Sequence, residues 1–188
     1  MVTMPDMSKA GLLEWLRNLL GESNEEEAAE RTARTFDPSK DLNEKDHLLI
    51  DMLNSPGHED VCYCICDPDK DDCPIIFSSD GFCSFTGYSH QEIEGRNCRF
   101  LQGAETKRED VDIIRNAIKE EKEANVNLLN YRKDGSQFIN QFFLAPLHSR
   151  DDEKKVAYYI GVQCSVDSSS PGQMPKNQGW VYTQGNHV

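Results

Sequence analysis

Three segments, residues 126–131, 137–144 and 156–163, alternate in side-chain character at the period of a β-strand. Successive side chains of a strand point to opposite faces of its sheet, so each segment resolves into two rows. The second segment places Phe138, Asn140, Phe142 and Leu144 in one row. The first repeats that arrangement with Val126, Leu128 and Asn130, and the last with Tyr159, Gly161 and Gln163. Each row thus carries an amide among apolar neighbours. Three amides facing one interior need hydrogen-bond partners, because a buried polar group left unsatisfied costs on the order of 1–3 kcal/mol. A planar heterocycle with donors and acceptors along its edge would supply them.

The remaining pattern places these strands in a mixed fold. Val61 to Cys66 and Ile75-Ile76-Phe77 read as two further strands, and Asp134-Gly135 supplies turn chemistry for a hairpin between 126–131 and 137–144. Between the two sets of strands, short helices are expected at Gln91 to Glu94, behind Ser89 as N-cap, and at Asn97 to Leu101. A longer one is expected at Glu109 to Glu121, with Val111, Ile114 and Ile118 at helical spacing and Arg115 beside them. Five strands with interspersed helices make an α+β domain.

Before this domain the texture is helical. Residues 8–21 predict an amphipathic helix with Ser8 as N-cap, a stripe of Leu12, Leu13, Leu16, Leu19 and Leu20, and Gly21 at its end. A second, acidic helix is expected over 24–35 and is broken by Asp37-Pro38. A third covers Leu42 to Leu53, its apolar side formed by Leu48, Leu49, Met52 and Leu53. Asn54-Ser55-Pro56-Gly57 then marks a boundary. The expected organisation is a helical extension over 1–57, a main domain over 58–167, and a flexible polar tail over 168–188.

A net charge of -13 across 188 residues argues against direct binding to nucleic acid or an anionic membrane, both of which reward clustered Lys and Arg. No apolar run approaches the ~20 residues of a membrane span. The first residues show no signal-peptide pattern, so a soluble, cytoplasmic protein is expected. Seven cysteines without secretory context read as reduced thiols. Cys62, Cys64 and Cys66 alternate on one strand face, closer together than structural zinc ligands usually are, so no metal site is expected.

The stretch Gly95 to Gly103 reads Gly-Arg-Asn-Cys-Arg-Phe-Leu-Gln-Gly. In a helix, Cys98, Leu101 and Gln102 share one face, holding a thiol beside an apolar contact and an amide. The nonapeptide matches the signature of LOV domains, the blue-light-sensing members of the PAS superfamily, and the resemblance runs over roughly residues 60–166. It implies a PAS fold, with a five-stranded antiparallel sheet and short helices enclosing FMN. It makes Cys98 the photoactive thiol that bonds flavin C4a after light absorption. Asn130 and Asn140 resemble the pair that reads the pyrimidine edge, and Gln163 resembles the glutamine near O4 and N5 that switches when N5 is protonated. Gln102 is similar to the ribityl ligand, and Arg99 and Arg115 to the arginines that hold the terminal phosphate. Asn97, Leu101, Val111, Ile114, Ile118, Phe142, Leu144 and Tyr159 complete the implied cofactor-binding set. Three positions depart from the family's habit. Cys64 and Cys66 stand where valine and threonine are commoner, and Cys73 where an asparagine often contacts the ribityl chain.

The resemblance implies a photosensor without turnover catalysis. The competing readings are a light-indifferent PAS interaction module and a flavin redox enzyme. The opposite strand rows, Tyr63, Ile65, Leu129, Ile139, Phe143, Tyr158, Ile160 and Val162, form an apolar face that needs a cover. The N-terminal helices are the expected cover, within the chain or across a homodimer. A light-dependent protein partner at this face is the expected route of output.

Overall fold

The computed structural model of the protein describes residues 8–13 and 34–166. Five strands, β1 (Tyr63–Cys66), β2 (Ile75–Ser78), β3 (Ala124–Tyr131), β4 (Gln137–His148) and β5 (Val156–Val166), form one antiparallel sheet in the order β2-β1-β5-β4-β3. β5 is central. Val162 is opposite Tyr63 of β1 on one side and Phe143 of β4 on the other. The β3–β4 hairpin closes at Gly135, whose φ of 82° is the left-handed turn conformation expected from Asp134-Gly135.

Four helical elements lie between β2 and β3: α2 (Asp80–Thr86), α3 (His90–Ile93), a 3-10 turn (Cys98–Leu101) and α4 (Arg108–Lys119). Their Phe82, Ile93, Leu101 and Ile114 share an apolar cluster with Val126, Leu128, Phe142, Leu144 and Tyr159 on one sheet face. The other face is covered from the N-terminal side, where Leu12, Phe36, Leu42 and the helix α1 (Glu44–Leu53) pack on Tyr63, Ile65, Phe143, Tyr158, Ile160 and Val162. The expected cover is therefore supplied within the chain. Leu129 and Ile139 lie at the margin of this face and are only half-buried.

Several expectations need correction. α1 starts at Glu44, because the Asn43 side chain caps it by accepting from the Asp46 amide at 2.9 Å. Its buried residues are Asp46, Leu49, Ile50, Met52 and Leu53, so of the expected apolar side only Leu48, 40% exposed, turns outward. Ile50 and Asp46 join the expected Leu49, Met52 and Leu53 on the buried side. α2 was not expected. Ser79 caps it, accepting from Phe82 N at 3.0 Å, and Gly87 ends it at a φ of 78°. β4 runs on to His148, past the expected end at Leu144. β3 stops opposite Leu144, so beyond that point β4 is an edge on that side, where Pro146 is tolerated. Helix is present over residues 9–13, with Ser8 Oγ accepting from Gly11 N at 3.2 Å. The remainder of that expected helix, including Leu16, Leu19, Leu20 and Gly21, lies outside the described residues. So do residues 24–33 of the second helix and the tail; Arg34 and Thr35 are not helical.

The N-terminal cover is fastened at its rim by a buried carboxylate. Asp46, 1% exposed, accepts from Lys9 Nζ at 2.6 Å, from Asn43 Nδ2 at 3.1 Å and from His148 N at 2.7 Å. Lys9 Nζ also donates to the Pro146 carbonyl at 2.7 Å, so one contact joins residues 9–13, α1 and β4. Asp46→Ala should lower unfolding stability by about 3 kcal/mol, since it strands three donors. Lys9→Met should cost a comparable ~3 kcal/mol, because it leaves the buried carboxylate without its cation. Urea titration of the two variants checks both values.

Candidate functional site

The nonapeptide is built onto the sheet by its ends. Gly95 has a φ of 88°, a conformation that favours glycine, and its N–H donates to Ile75 O of β2 at 2.8 Å. At the other end, a Cβ on Gly103 would stand 2.3 Å from the Tyr131 ring, so only glycine lets β3 approach here. Between them, Asn97 Oδ1 accepts from Arg99 N at 3.1 Å and starts the 3-10 turn. Three residues per turn brings Cys98 and Leu101 to the same side. Asn97 Nδ2 is committed to the Asp72 and Cys73 carbonyls, at 2.6 and 3.3 Å, so this residue braces the turn.

Across from the turn, the three amides meet. Asn140 Nδ2 donates to Asn130 Oδ1 at 2.9 Å and to Gln163 Oε1 at 3.3 Å, and Asn130 Nδ2 donates to the Leu129 carbonyl at 3.0 Å. All three are at most 3% exposed. Asn140 Oδ1 is buried without a hydrogen-bond partner. A narrow slot of about 20 Å³ lies between the two sides, lined by Cys98, Leu101, Gln102, Ile114, Leu128, Asn130, Asn140, Phe142 and Gln163. That is far below the roughly 300–1,000 Å³ of a ligand pocket, so a ring enters only as the two walls move apart.

Eight of these nine lining residues belong to the expected site. Leu128 is the addition, and its place in the row between Val126 and Asn130 already pointed to it. Leu144, Tyr159, Cys64 and Cys66 are buried in the same face cluster without lining the slot, and Cys73 and Ile118 are partly buried against it. Val111 is buried on α4. Tyr159 donates its hydroxyl to the Ile118 carbonyl at 3.0 Å, tying β5 to the end of α4. Arg99 and Arg115 lie outside the slot on exposed surface. Each is paired with a carboxylate, Arg99 with Asp72 at 2.5 Å and Arg115 with Asp112 at 3.0 Å.

The Cys98 thiol is pushed up to about 11, chiefly by burial and further by the neighbouring Cys73, against the opposing pull of Arg99. Its proton therefore stays on sulfur at neutral pH. The thiol faces an array with one unmet acceptor, Asn140 Oδ1. A flavin fits that donor set: its imide N–H is a donor for such an acceptor, and the edge carbonyls beside it suit amide N–H groups.

Residues 60–164 match the family model described as PAS domain. The solved light-state structure of the blue-light photoreceptor Aureochrome1 LOV is 47% identical, covers 57% of this chain and 82% of its own, and has a TM-score of 0.55. The chain belongs to the LOV family of PAS domains. Phototropin-2 of Oryza sativa subsp. japonica is 48% identical over 114 residues, 61% of this chain but 12% of that protein. The blue-light photoreceptor of Listeria monocytogenes serovar 1/2a is 44% identical over 123 residues, 65% of this chain and 47% of its own length. The chain thus spans less than half the length of these curated relatives. Among the described residues, no helix is long and apolar enough to cross a membrane.

The elevated thiol gives a direct test on ligand-free protein. Alkylation of Cys98 by iodoacetamide should rise with pH around a midpoint near 11, well above the ~8.5 of an unfolded cysteine. The corresponding stability is present below the unfolded value and is lost as pH climbs through the folded one. A Cys98 midpoint below about 9, read by peptide mass spectrometry, would contradict this burial.

Proposed function

We propose that the chain is a blue-light photoreceptor with FMN as its chromophore and Cys98 as its photoactive thiol. The observation that carries the reading is the placement of Cys98 across one slot from the joined amides of Asn130, Asn140 and Gln163, with the Asn140 acceptor unmet. When bound, FMN supplies blue-light absorption and a ring carbon, C4a, that accepts a thiol. The protein's part is to hold a protonated thiol near that ring and to keep other nucleophiles away. Asn130 and Asn140 fix the ring's polar edge, and Leu101, Ile114, Leu128 and Phe142 enclose it. Gln163 can present either its carbonyl or its N–H₂ to the ring, so it answers a change from acceptor to donor by rotating its amide.

Arg99 and Arg115 serve the phosphate, exchanging Asp72 and Asp112 for an anion of higher charge. Cys66 and Cys73 take the place of stronger hydrogen-bonding groups and Cys64 that of an apolar one, which changes the adduct lifetime or the flavin affinity. Output passes through β5 to the cover formed by the 1–57 extension, changing association with a second copy or another protein. The 58–167 segment is the sensor in this reading, and 168–188 contributes no part of the chemistry.

Blue illumination of the purified flavoprotein should bleach its blue absorption reversibly, and Cys98→Ala should abolish the bleaching. A protein that never acquires flavin supports the light-indifferent interaction module instead, and reduction by a substrate in darkness supports the redox enzyme. Arg99→Ala and Arg115→Ala should each weaken FMN binding about tenfold, the loss of one charged hydrogen bond, while leaving riboflavin affinity unchanged. Equal losses for both ligands, by fluorescence titration, would remove the phosphate assignment.

A further inference from the structure

A second constellation of reactive side chains lies away from the slot, where α2 meets α3. Cys83 Sγ is 3.1 Å from His90 Nδ1, and His90 Nε2 is 3.0 Å from Asp80 Oδ1. The chain supplies Asp80 and Cys83 from successive turns of α2 and His90 from the first position of α3, so two capped helix starts fix the geometry. A carboxylate only accepts, so Asp80 holds the imidazole hydrogen on Nε2 and turns the Nδ1 lone pair toward the thiol. This is the relation of nucleophile, base and orienting carboxylate used in covalent catalysis.

One other group faces that lone pair. Ser78 Oγ is 2.9 Å from Nδ1 and 3.2 Å from Glu94 Oε1, and its single hydrogen can serve only one of them at a time. Ser78 therefore shares Nδ1 with the thiol, and the thiol proton reaches the base when the hydroxyl turns to the carboxylate. Arg34 in turn pairs with Glu94 in a two-toothed contact, which balances one of the two carboxylates in the cluster. Cys83 and His90 are both half-buried, so a small solute can reach them. Burial pushes the Cys83 thiol up, so its nucleophilic form arises as the proton leaves for His90 rather than as a standing thiolate.

The geometry points to Cys83 as a second reactive thiol, activated by His90 and oriented through Asp80, whose substrate is a small uncharged peroxide. In the step, the sulfur electron pair forms an S–O bond as the O–O bond breaks. The thiol proton passes to His90 Nδ1 and from there to the departing hydroxide. Sulfur is oxidised to a sulfenic acid, and hydrogen peroxide is reduced to water. A neutral oxidant suits a cluster that holds two carboxylates and one arginine. Cys98 takes no part in this chemistry.

The test is hydrogen peroxide treatment of the full flavin-loaded chain in darkness, with dimedone trapping and fragmentation spectra that assign each cysteine. Cys83 should be labelled at least about tenfold faster than Cys73, the nearest partly buried thiol in sequence. His90→Gln should remove that advantage and leave only the alkaline rise of an unassisted thiol, while Asp80→Asn should cut the Cys83 rate at least about threefold. Unchanged flavin absorbance shows that the variants remain folded. Equal labelling of Cys83 and Cys73 in the wild type, or a Cys83 rate indifferent to His90→Gln, would overturn the assignment. The wild-type ratio decides even if a variant fails to fold.

Discussion

The alternation of side chains along β5 is the constraint on which the rest depends. Tyr159, Gly161 and Gln163 enter the core that holds the slot, while Tyr158, Ile160 and Val162 enter the core beneath the N-terminal cover. Both faces are buried, so a slip of one residue would exchange the two sets and destroy both cores. Pairing with β1 and β4 on either side holds the register. The same pairing places Gln163 one residue from Val162, which is opposite Tyr63 and Phe143. Gln163 is thus the backbone neighbour of a residue in the core under α1.

The two faces solve different problems. On the slot side, buried amides satisfy one another incompletely, and the cost of Asn140 Oδ1 is recovered by a partner that donates to it. On the cover side the interior is apolar and the polar groups gather at the rim. Asp46 gathers Lys9, Asn43 and His148 there. The Tyr158 hydroxyl accepts from Lys40 N at 3.0 Å and meets Ser39 Oγ at 3.1 Å. The cover is thus held by the apolar packing of Leu12, Phe36, Leu42, Leu49, Ile50 and Leu53 on the sheet, with these polar contacts closing its rim.

Much of this was legible in the sequence because period-two alternation survives folding unchanged. The rows containing Asn130, Asn140 and Gln163 came out on one face, and Cys98, Leu101 and Gln102 came out together opposite them. What escaped depended on contacts between distant segments. The burial of Asp46 rests on Lys9 and the His148 amide, which come from segments far from it in the sequence. The alternation ended at Leu144, whereas at the sheet edge β4 continues through Pro146 to His148. The glycines that bound the nonapeptide were visible as residues but not as reasons, since only the fold reveals the left-handed turn at Gly95 and the Tyr131 ring over Gly103. Arg99 and Arg115 carry their assignment by resemblance, with each held on the surface by a carboxylate.

The central claim is that Gln163 couples the slot to the cover through β5. Hydrogen exchange across residues 44–53, compared between dark and illuminated protein in the wild type and in Gln163→Leu, tests it most directly. Illumination should speed exchange of these amides in the wild type, and Gln163→Leu should still bleach under blue light yet show little or no change in exchange. Identical exchange in darkness and light for the wild type, or an equal light-driven increase in both proteins, would contradict the coupling.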